Sequence, residues 1–181
     1  MPATATALTA EQFLALPEEQ QFRRELIHGE IVEMGNARLK HEVLKARVNR
    51  ALSRYCDQFP AFEVFSETLF VASSEDACIP DVSLVKSDWL GSSDWERQGQ
   101  GAPLIAVEVV SSEPATRVNQ KAEIYLTCGS ASVWTVYPET RTVTIEYPDG
   151  RSRRLHLGEE IDEPEIIPGF SLRLDSLFEG M

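Results

Sequence analysis

The pattern of apolar and polar residues predicts a chain of short strands with two longer helices. The most continuous apolar run is LIAVEVV, residues 104–110, which Glu108 alone interrupts. A run this short and continuous is typical of a strand in the middle of a sheet that is covered on both faces. Because an unpaired buried carboxylate costs several kcal/mol, Glu108 needs a partner.

Residues 38–57 have the periodicity of an amphipathic helix. One arc of this helix is apolar and is expected to face the core; it contains Leu44, Val48, Ala51, Leu52 and Tyr55. A separate arc beside it is basic and contains Lys40, Arg47, Arg50 and Arg54. The basic arc is either an ordinary solvated face or a surface that contacts nucleic-acid phosphates. His41 lies with the apolar arc, either as a core histidine or as a contact to a site residue or a phosphate.

The other elements follow from turn and capping signals. Thr9 and Gln12 resemble a capping box that starts a short helix, and RRELIHGEIVEM predicts two strands around a His28-Gly29 turn. Strands are expected near 62–71 and 79–86, and a helix over 115–128. Three further strands are predicted in SVWTVYP, TVTIEYP and SRRLHL. This order predicts one mixed α/β (α+β) domain over residues 1–181, with a mixed sheet flanked by helices.

Composition and charge narrow the function classes. The chain has 181 residues, of which 43% are hydrophobic and 25% charged, as in an ordinary globular domain. It contains neither a membrane-span-length apolar run nor an export signal, and its three cysteines are widely spaced, so we expect a cytoplasmic location and no membrane partner. The net charge of −12 argues against a protein that simply coats nucleic acid. Residues 38–54 nevertheless hold six of the 17 Lys and Arg residues and one acid, Glu42.

Two acids stand in apolar surroundings on consecutive predicted strands. Asp81 follows Pro80, which cannot donate to a central ladder, so Asp81 is expected where a strand begins. Taken singly, Asp81 is a turn aspartate and Glu108 a member of a buried ion pair or a strand-edge residue. Taken together, two converging carboxylates repel each other and raise each other's pKa. A hard divalent ion such as Mg²⁺ relieves that repulsion.

Lys121 stands thirteen residues after Glu108, on the helix that directly follows the Glu108 strand. The simplest interpretation is a solvated lysine on a helix surface, since lysine is rarely buried. A helix that returns along its strand can instead carry the ammonium group back over Asp81 and Glu108.

Five blocks of this sequence resemble the Uma family of putative restriction endonucleases, within the PD-(D/E)XK nuclease superfamily. They are RELIHGEIVEM, PDVSLV, LIAVEVVSS, QKAEIYLTCG and VWTVYPETRTVTIEYPDG. Each block is a weak signal alone, but all five occur in the family's order. The resemblance extends from about Phe13 to Phe178 and implies a restriction-endonuclease-like core that binds Mg²⁺ or Mn²⁺ and hydrolyses phosphodiesters.

The resemblance also assigns residues to the site. Asp81 and Glu108 match the family's acids, and the implied metal ligands are these two residues with Val109. The superfamily has a lysine two residues after that glutamate, where this chain has Val110. Lys121 matches the lysine that Uma-type sequences carry on the next helix, and Glu25 matches an early glutamate expected near the metal. Arg117 stands where the family often has an aspartate.

The expected function is therefore metal-dependent DNA cleavage, with Asp81, Glu108, Lys121 and Glu25 as catalytic residues. A homodimer is expected because cutting two strands suits two-fold symmetry. The alternative is a nuclease-fold binding module that has lost turnover and acts through protein or nucleic-acid contacts. The −12 charge and Arg117 favour the binding module, and the joint presence of Asp81, Glu108 and Lys121 favours the enzyme.

Overall fold

The computed structural model describes residues 7–35, 37–91, 98–111 and 113–181. The helices are α1 (Ala10–Leu14), α2 (Glu18–Gln21), α3 (Leu39–Gln58), α4 (Ser87–Gly91), α5 (Ala115–Thr127) and α6 (Leu174–Leu177). The strands are β1 (Arg24–Ile27), β2 (Glu30–Glu33), β3 (Phe62–Ser66), β4 (Phe70–Val71), β5 (Ala77–Cys78), β6 (Val82–Lys86), β7 (Gly99–Gln100), β8 (Ile105–Val109), β9 (Ser132–Tyr137), β10 (Thr142–Glu146), β11 (Ser152–Leu155), β12 (Glu160–Ile161) and β13 (Leu172–Arg173).

The apolar run around Glu108 forms a central strand. β8 lies inside a six-stranded sheet of order β11-β10-β9-β8-β6-β3, between β9 and β6, and all five of its residues are buried. β8 and β9 pair in parallel, because α5 connects them as a crossover, while the other pairs in this sheet are antiparallel. The sheet is therefore mixed, as predicted.

The two long helices cover opposite faces of this sheet. On one face, Ile105, Val107 and Val109 of β8 join a cluster with the apolar arc of α3. On the other face, Ala106 packs with Ala122 and Tyr125 of α5. Because side chains alternate along a strand, Glu108 faces α5 together with Ala106. The periodicity of β8 thus directs one carboxylate into the layer between the sheet and α5.

The N-terminal hairpin forms part of a second sheet. β1 and β2 pair antiparallel, and the second sheet has the order β2-β1-β5-β4-β7. The prediction of one strand over 62–71 is wrong: β3 ends at Ser66, Glu67 takes a φ of 52°, and β4 continues in the second sheet. The predicted strand over 79–86 is likewise shorter, since β6 begins only at Val82, after Pro80.

The C-terminal residues, for which the sequence pattern makes no prediction, close the sheet face that α3 covers. Ile161, Ile167 and Leu174 belong to the same core cluster as Leu44 of α3. Glu163 is buried among them and accepts hydrogen bonds from Ser132 and Trp134 at 2.8 and 2.6 Å. In the described part of the chain, no helix is both long and apolar enough to cross a membrane.

Candidate active site

The ammonium group of Lys121 is the centre of a buried ion-pair network. The side chain of Lys121 is 2% exposed, and its Nζ lies 2.7 Å from Glu108 Oε1 and 2.9 Å from Glu25 Oε1. The same Nζ donates to the carbonyl of Ile79 at 3.2 Å. The partner of Glu108 is therefore a lysine, and the interpretation of Lys121 as a solvated surface residue is wrong.

Helical spacing explains how α5 supplies two groups to one carboxylate. Residues four apart lie on the same face of a helix, and Lys121 and Tyr125 both reach Glu108. The hydroxyl of Tyr125 donates to Glu108 Oε1 at 2.8 Å. Glu25 comes from the second sheet, where its Oε1 also accepts the backbone N–H of Ile79 at 2.7 Å. Lys121 thus joins both sheets and α5 at one point.

Asp81 lies beside Glu108 because of the sheet register. Val82 pairs with Val107 across the antiparallel strands β6 and β8. Asp81, which precedes Val82, therefore lies beside Glu108, which follows Val107, at the end of the ladder. Asp81 Oδ2 accepts the backbone N–H of Val109 at 2.7 Å. The structure therefore brings Asp81, Glu108, Lys121 and Glu25 into one buried cluster.

His41, at the start of α3, is the second basic residue of the cluster. Its Nε2 lies 3.1 Å from Asp81 Oδ2, and its Nδ1 lies 3.2 Å from Glu42 Oε1. An ionised carboxylate can only accept, so these two contacts favour the charged imidazole, in which both ring nitrogens donate. Burial lowers the pKa of His41, but the hydrogen bonds and charges of Asp81 and Glu42 outweigh it, and the pKa lies above its usual value.

The hydrogen bonds continue outward along α3. Lys45 lies 2.7 Å from Glu42 and 2.9 Å from Glu67. No motif in the sequence singled out Lys45 or Tyr125. The available signal was spacing: Lys45 stands one helical turn after His41, and Tyr125 one turn after Lys121.

The cluster carries an excess of negative charge. Burial raises the pKa of Glu108 well above its usual value; Lys121 opposes this shift, and Asp81 and Glu25 add to it. Burial also lowers the pKa of Lys121, but Glu108 and Glu25 outweigh it and raise that pKa well above its usual value. Three buried carboxylates therefore share the two cations Lys121 and His41, an arrangement that a further cation stabilises.

The free carboxylate oxygens set how a metal could bind. Glu108 is contacted at Oε1, by Lys121 and Tyr125. Asp81 is contacted at Oδ2, by His41 and Val109. The other two oxygens, Glu108 Oε2 and Asp81 Oδ1, accept no hydrogen bond from a described residue. Across the described ranges, no three His, Cys, Asp or Glu side chains are grouped to hold a metal by themselves. Two free carboxylate oxygens suit Mg²⁺, which keeps several waters and commonly binds through one or two carboxylates.

Val109 can serve a metal only through its backbone. Its side chain packs in the core cluster on the α3 side, and its N–H is donated to Asp81. The backbone carbonyl oxygen of Val109 is therefore the atom that could act as the predicted metal ligand.

A family profile shows which protein family the chain belongs to. A profile described as "Putative restriction endonuclease", Uma2, matches residues 10–175. The chain belongs to the Uma2 family. Among solved structures, it is similar to the 1.96 Å crystal structure of a putative nuclease belonging to DUF820 from Anabaena variabilis ATCC 29413, with a TM-score of 0.83. The two chains are 19% identical, and the match covers 94% of this chain and 97% of the other. No curated protein matches the chain.

The other basic residue on α5 of this Uma2 protein is Arg117. It stands one helical turn before Lys121 on α5 and is half-buried. The Arg117 side chain makes no hydrogen bond or ion pair with a residue that the structure describes. Its guanidinium is therefore available to a ligand, whereas the Lys121 ammonium is already paired.

The basic arc of α3 is not a uniform surface. Lys40 pairs with Glu139 at 3.1 Å. The Arg47 guanidinium donates to the carbonyls of Leu177 and Glu179, both at 2.8 Å, and so fastens the C-terminal segment to α3. Arg50 and Arg54 are exposed. Arg47 thus has a structural contact that the arc alone did not reveal.

We predict that Arg47→Glu lowers the free energy of unfolding by about 2 kcal/mol, because two hydrogen bonds from a charged donor are lost and a carboxylate faces two carbonyls. Arg54→Glu, the same charge change on the same helix, is expected to leave stability within about 0.5 kcal/mol. Urea denaturation followed by circular dichroism measures both. Equal stability of the two variants would contradict the anchoring role of Arg47.

Proposed function

We propose that this Uma2 protein is a metal-dependent endonuclease that hydrolyses DNA phosphodiester bonds. The observation that carries the proposal is the convergence of Asp81, Glu108 and Lys121 in one buried cluster at the end of the central sheet. Two carboxylates with free oxygens and a fixed ammonium beside them are the groups that metal-assisted phosphodiester hydrolysis requires. Membership of a family described as restriction endonucleases supports the same proposal.

Asp81 and Glu108 would hold the ion through their free oxygens, with the carbonyl of Val109 as the third protein ligand. Mg²⁺ or Mn²⁺ would supply charge to polarise the phosphoryl group and to lower the pKa of an attacking water. The hydrogen bonds from Val109 and His41 orient Asp81, and those from Lys121 and Tyr125 orient Glu108. The protein therefore holds both ligands in place before the substrate arrives.

Lys121 acts in this proposal as a charge and not as a proton acceptor. Its pKa lies well above the usual value because Glu108 and Glu25 outweigh the effect of burial. The group is therefore an ammonium under all ordinary assay conditions, and it offsets negative charge that develops on the phosphate. Glu25 holds the ammonium from the other side.

The direct test is cleavage of plasmid and single-stranded DNA with Mg²⁺, with Mn²⁺ and with EDTA. We expect cleavage with either metal and none in EDTA. Asp81→Ala serves as the control for contaminating nuclease. Cleavage that persists in EDTA, or equally in Asp81→Ala, would contradict the proposal.

Metal binding is expected to stabilise the protein more at high pH than at low pH. Because the folded-state pKa of Glu108 is raised, its proton stabilises the metal-free fold at low pH, and this contribution is lost as pH rises from the usual 4.5 through the raised value. A metal needs the ionised carboxylate. The increase in Tm with Mn²⁺ should therefore be larger at about pH 8 than at about pH 6, as measured by differential scanning fluorimetry. An equal increase at both values would contradict the expected coupling between metal binding and the ionisation of Glu108.

A second candidate function is a nuclease-fold binding module without turnover. The observation that favours it is the direct pair of Lys121 with Glu108, which already compensates one of the two carboxylates. DNA binding with no cleavage under either metal would select this alternative.

We also propose that the chain acts as a homodimer in the cytoplasm. Two-fold symmetry places one active site on each strand of a duplex, and Cys56, Cys78 and Cys128 are all free thiols, as in reducing compartments. Sedimentation equilibrium tests the dimer.

A further inference from the structure

A small recess borders the candidate active site on the α3 side. It has a volume of about 100 Å³ and lies between the start of α3 and the turn that joins β9 to β10. Its wall includes His41, which contacts Asp81, and Val110, which stands two residues after Glu108. The recess and the candidate active site therefore share His41.

Two kinds of hydrogen-bond donor line this recess. Arg38 and Lys40 supply cationic side chains, and the Arg38 guanidinium makes no hydrogen bond or ion pair with a described residue. Arg38 is also the N-cap of α3, and its side chain does not cap the helix. The N–H groups in the first turn of this 20-residue helix therefore have no side-chain cap at the end where the recess lies. Ser111 also lines the recess, with its hydroxyl oxygen buried in the wall and without a partner in the described part of the chain. The cations and the helix N–H groups together favour an anion.

The apolar part of the recess limits which anion fits. Val110, Pro138 and Tyr137 also line the recess. The volume is well below the roughly 300 Å³ at which pockets for whole small molecules begin, so a complete nucleotide does not fit. A single phosphate with the edge of its sugar has both the charge and the apolar surface that the lining requires.

The segment before Lys40 adds an exposed apolar residue. Leu39 is 81% exposed and stands between Arg38 and Lys40. An apolar side chain flanked by two cations suits the surface of a nucleic acid, where phosphates alternate with sugars and base edges.

We propose that this recess binds a DNA backbone phosphate adjacent to the scissile one, an inference that rests on the proposed nuclease function. Arg38, Lys40 and the start of α3 hold the phosphate, and the sugar packs on Tyr137 and Val110. The recess thereby positions the strand so that the next phosphodiester lies at Asp81 and Glu108.

Substitution of Glu139, which also lines the recess, is expected to strengthen DNA binding. Its pair with Lys40 is solvent-exposed, with side-chain exposures of 43% for Lys40 and 83% for Glu139. Such pairs contribute little to stability, so a phosphate can displace Glu139. Glu139→Gln removes a competing and repelling charge and should therefore tighten DNA binding about threefold.

The test is fluorescence anisotropy of a labelled duplex oligonucleotide in EDTA, so that binding is measured without cleavage. Arg38→Gln/Lys40→Gln is expected to weaken binding about tenfold at 0.1 M salt and to reduce the salt slope by about 1, the value for one phosphate contact. The matched control is Arg151→Gln/Arg173→Gln, which removes two exposed, acid-paired arginines elsewhere. This control should bind like wild type.

A methylphosphonate scan locates the contact. Each phosphate in turn is made neutral, and wild type should lose affinity when the neutral group stands next to the cleaved bond. The Arg38→Gln/Lys40→Gln variant should show no further loss at that position, because its contact is already absent.

The inference can fail separately from the proposed function. If wild type cuts DNA but the double variant binds as tightly as wild type, the recess does not hold a phosphate. If wild type binds without cutting, the affinity and salt slope of the Arg38→Gln/Lys40→Gln variant still decide the recess, while the nuclease proposal fails. Absence of DNA binding by wild type, or unchanged affinity in Glu139→Gln with a flat scan, would overturn the inference.

Discussion

Lys121→Met is expected to abolish DNA cleavage and to lower the free energy of unfolding by about 3–5 kcal/mol. The cleavage loss follows because a group that stabilises developing charge typically contributes 10²- to 10³-fold in rate. The stability loss follows because removal of the ammonium leaves Glu25 and Glu108 buried without their partner. Plasmid cleavage and guanidinium denaturation measure the two effects.

A second substitution separates the two effects. Glu25→Gln added to Lys121→Met removes one uncompensated carboxylate and should recover about half of the lost stability. Cleavage should remain absent, since Lys121 is still missing. Recovery of cleavage together with stability would show that Lys121 acts only by maintaining the fold.

Arg117 provides the control on the same helix. Arg117→Met removes a cation one turn before Lys121 that makes no ion pair with a described residue, so stability should change by less than about 0.5 kcal/mol. Cleavage should fall less than in Lys121→Met. The role assigned to Lys121 is wrong if activity survives Lys121→Met and disappears in Arg117→Met.

Asp81→Asn is expected to reduce cleavage by about 10³-fold or more, because a charged metal ligand is lost. The asparagine oxygen can still accept the N–H of Val109, so the fold should be retained, with a loss of about 1 kcal/mol where the His41 contact weakens. The increase in Tm with Mn²⁺ should disappear in this variant.

Asp76→Asn is the matched control for Asp81→Asn. Asp76 is also a buried aspartate, but it accepts hydrogen bonds from the backbone of His28 and the hydroxyl of Ser73. Its loss should lower stability without removing either cleavage or the effect of Mn²⁺. If both variants lost the Mn²⁺ effect equally, the assignment of Asp81 as a ligand would not stand.

Local patterns in the sequence predicted the elements that frame the site. The apolar run at 104–110 forms β8 over 105–109, the amphipathic segment at 38–57 forms α3 over 39–58, and the helix expected at 115–128 forms α5 over 115–127. These patterns arise from repeats of two or 3.6 residues, which are properties of neighbouring residues. The short strands β4, β5 and β7 carry only two residues each, too few for such a repeat to be visible.

By itself, the sequence determined that Asp81 and Glu108 stand in apolar surroundings on consecutive strands and that a lysine follows on the next helix. Only the tertiary structure decided that Lys121 is buried between Glu108 and Glu25, that His41 contacts Asp81, and that Arg47 holds the C-terminal carbonyls. The physical reason is that a charge's partner depends on sheet register and on how helices cross the sheet. Glu25 and Lys121 are 96 residues apart in the chain, and Arg47 and Leu177 are 130 apart, so no local repeat carries information about either pair.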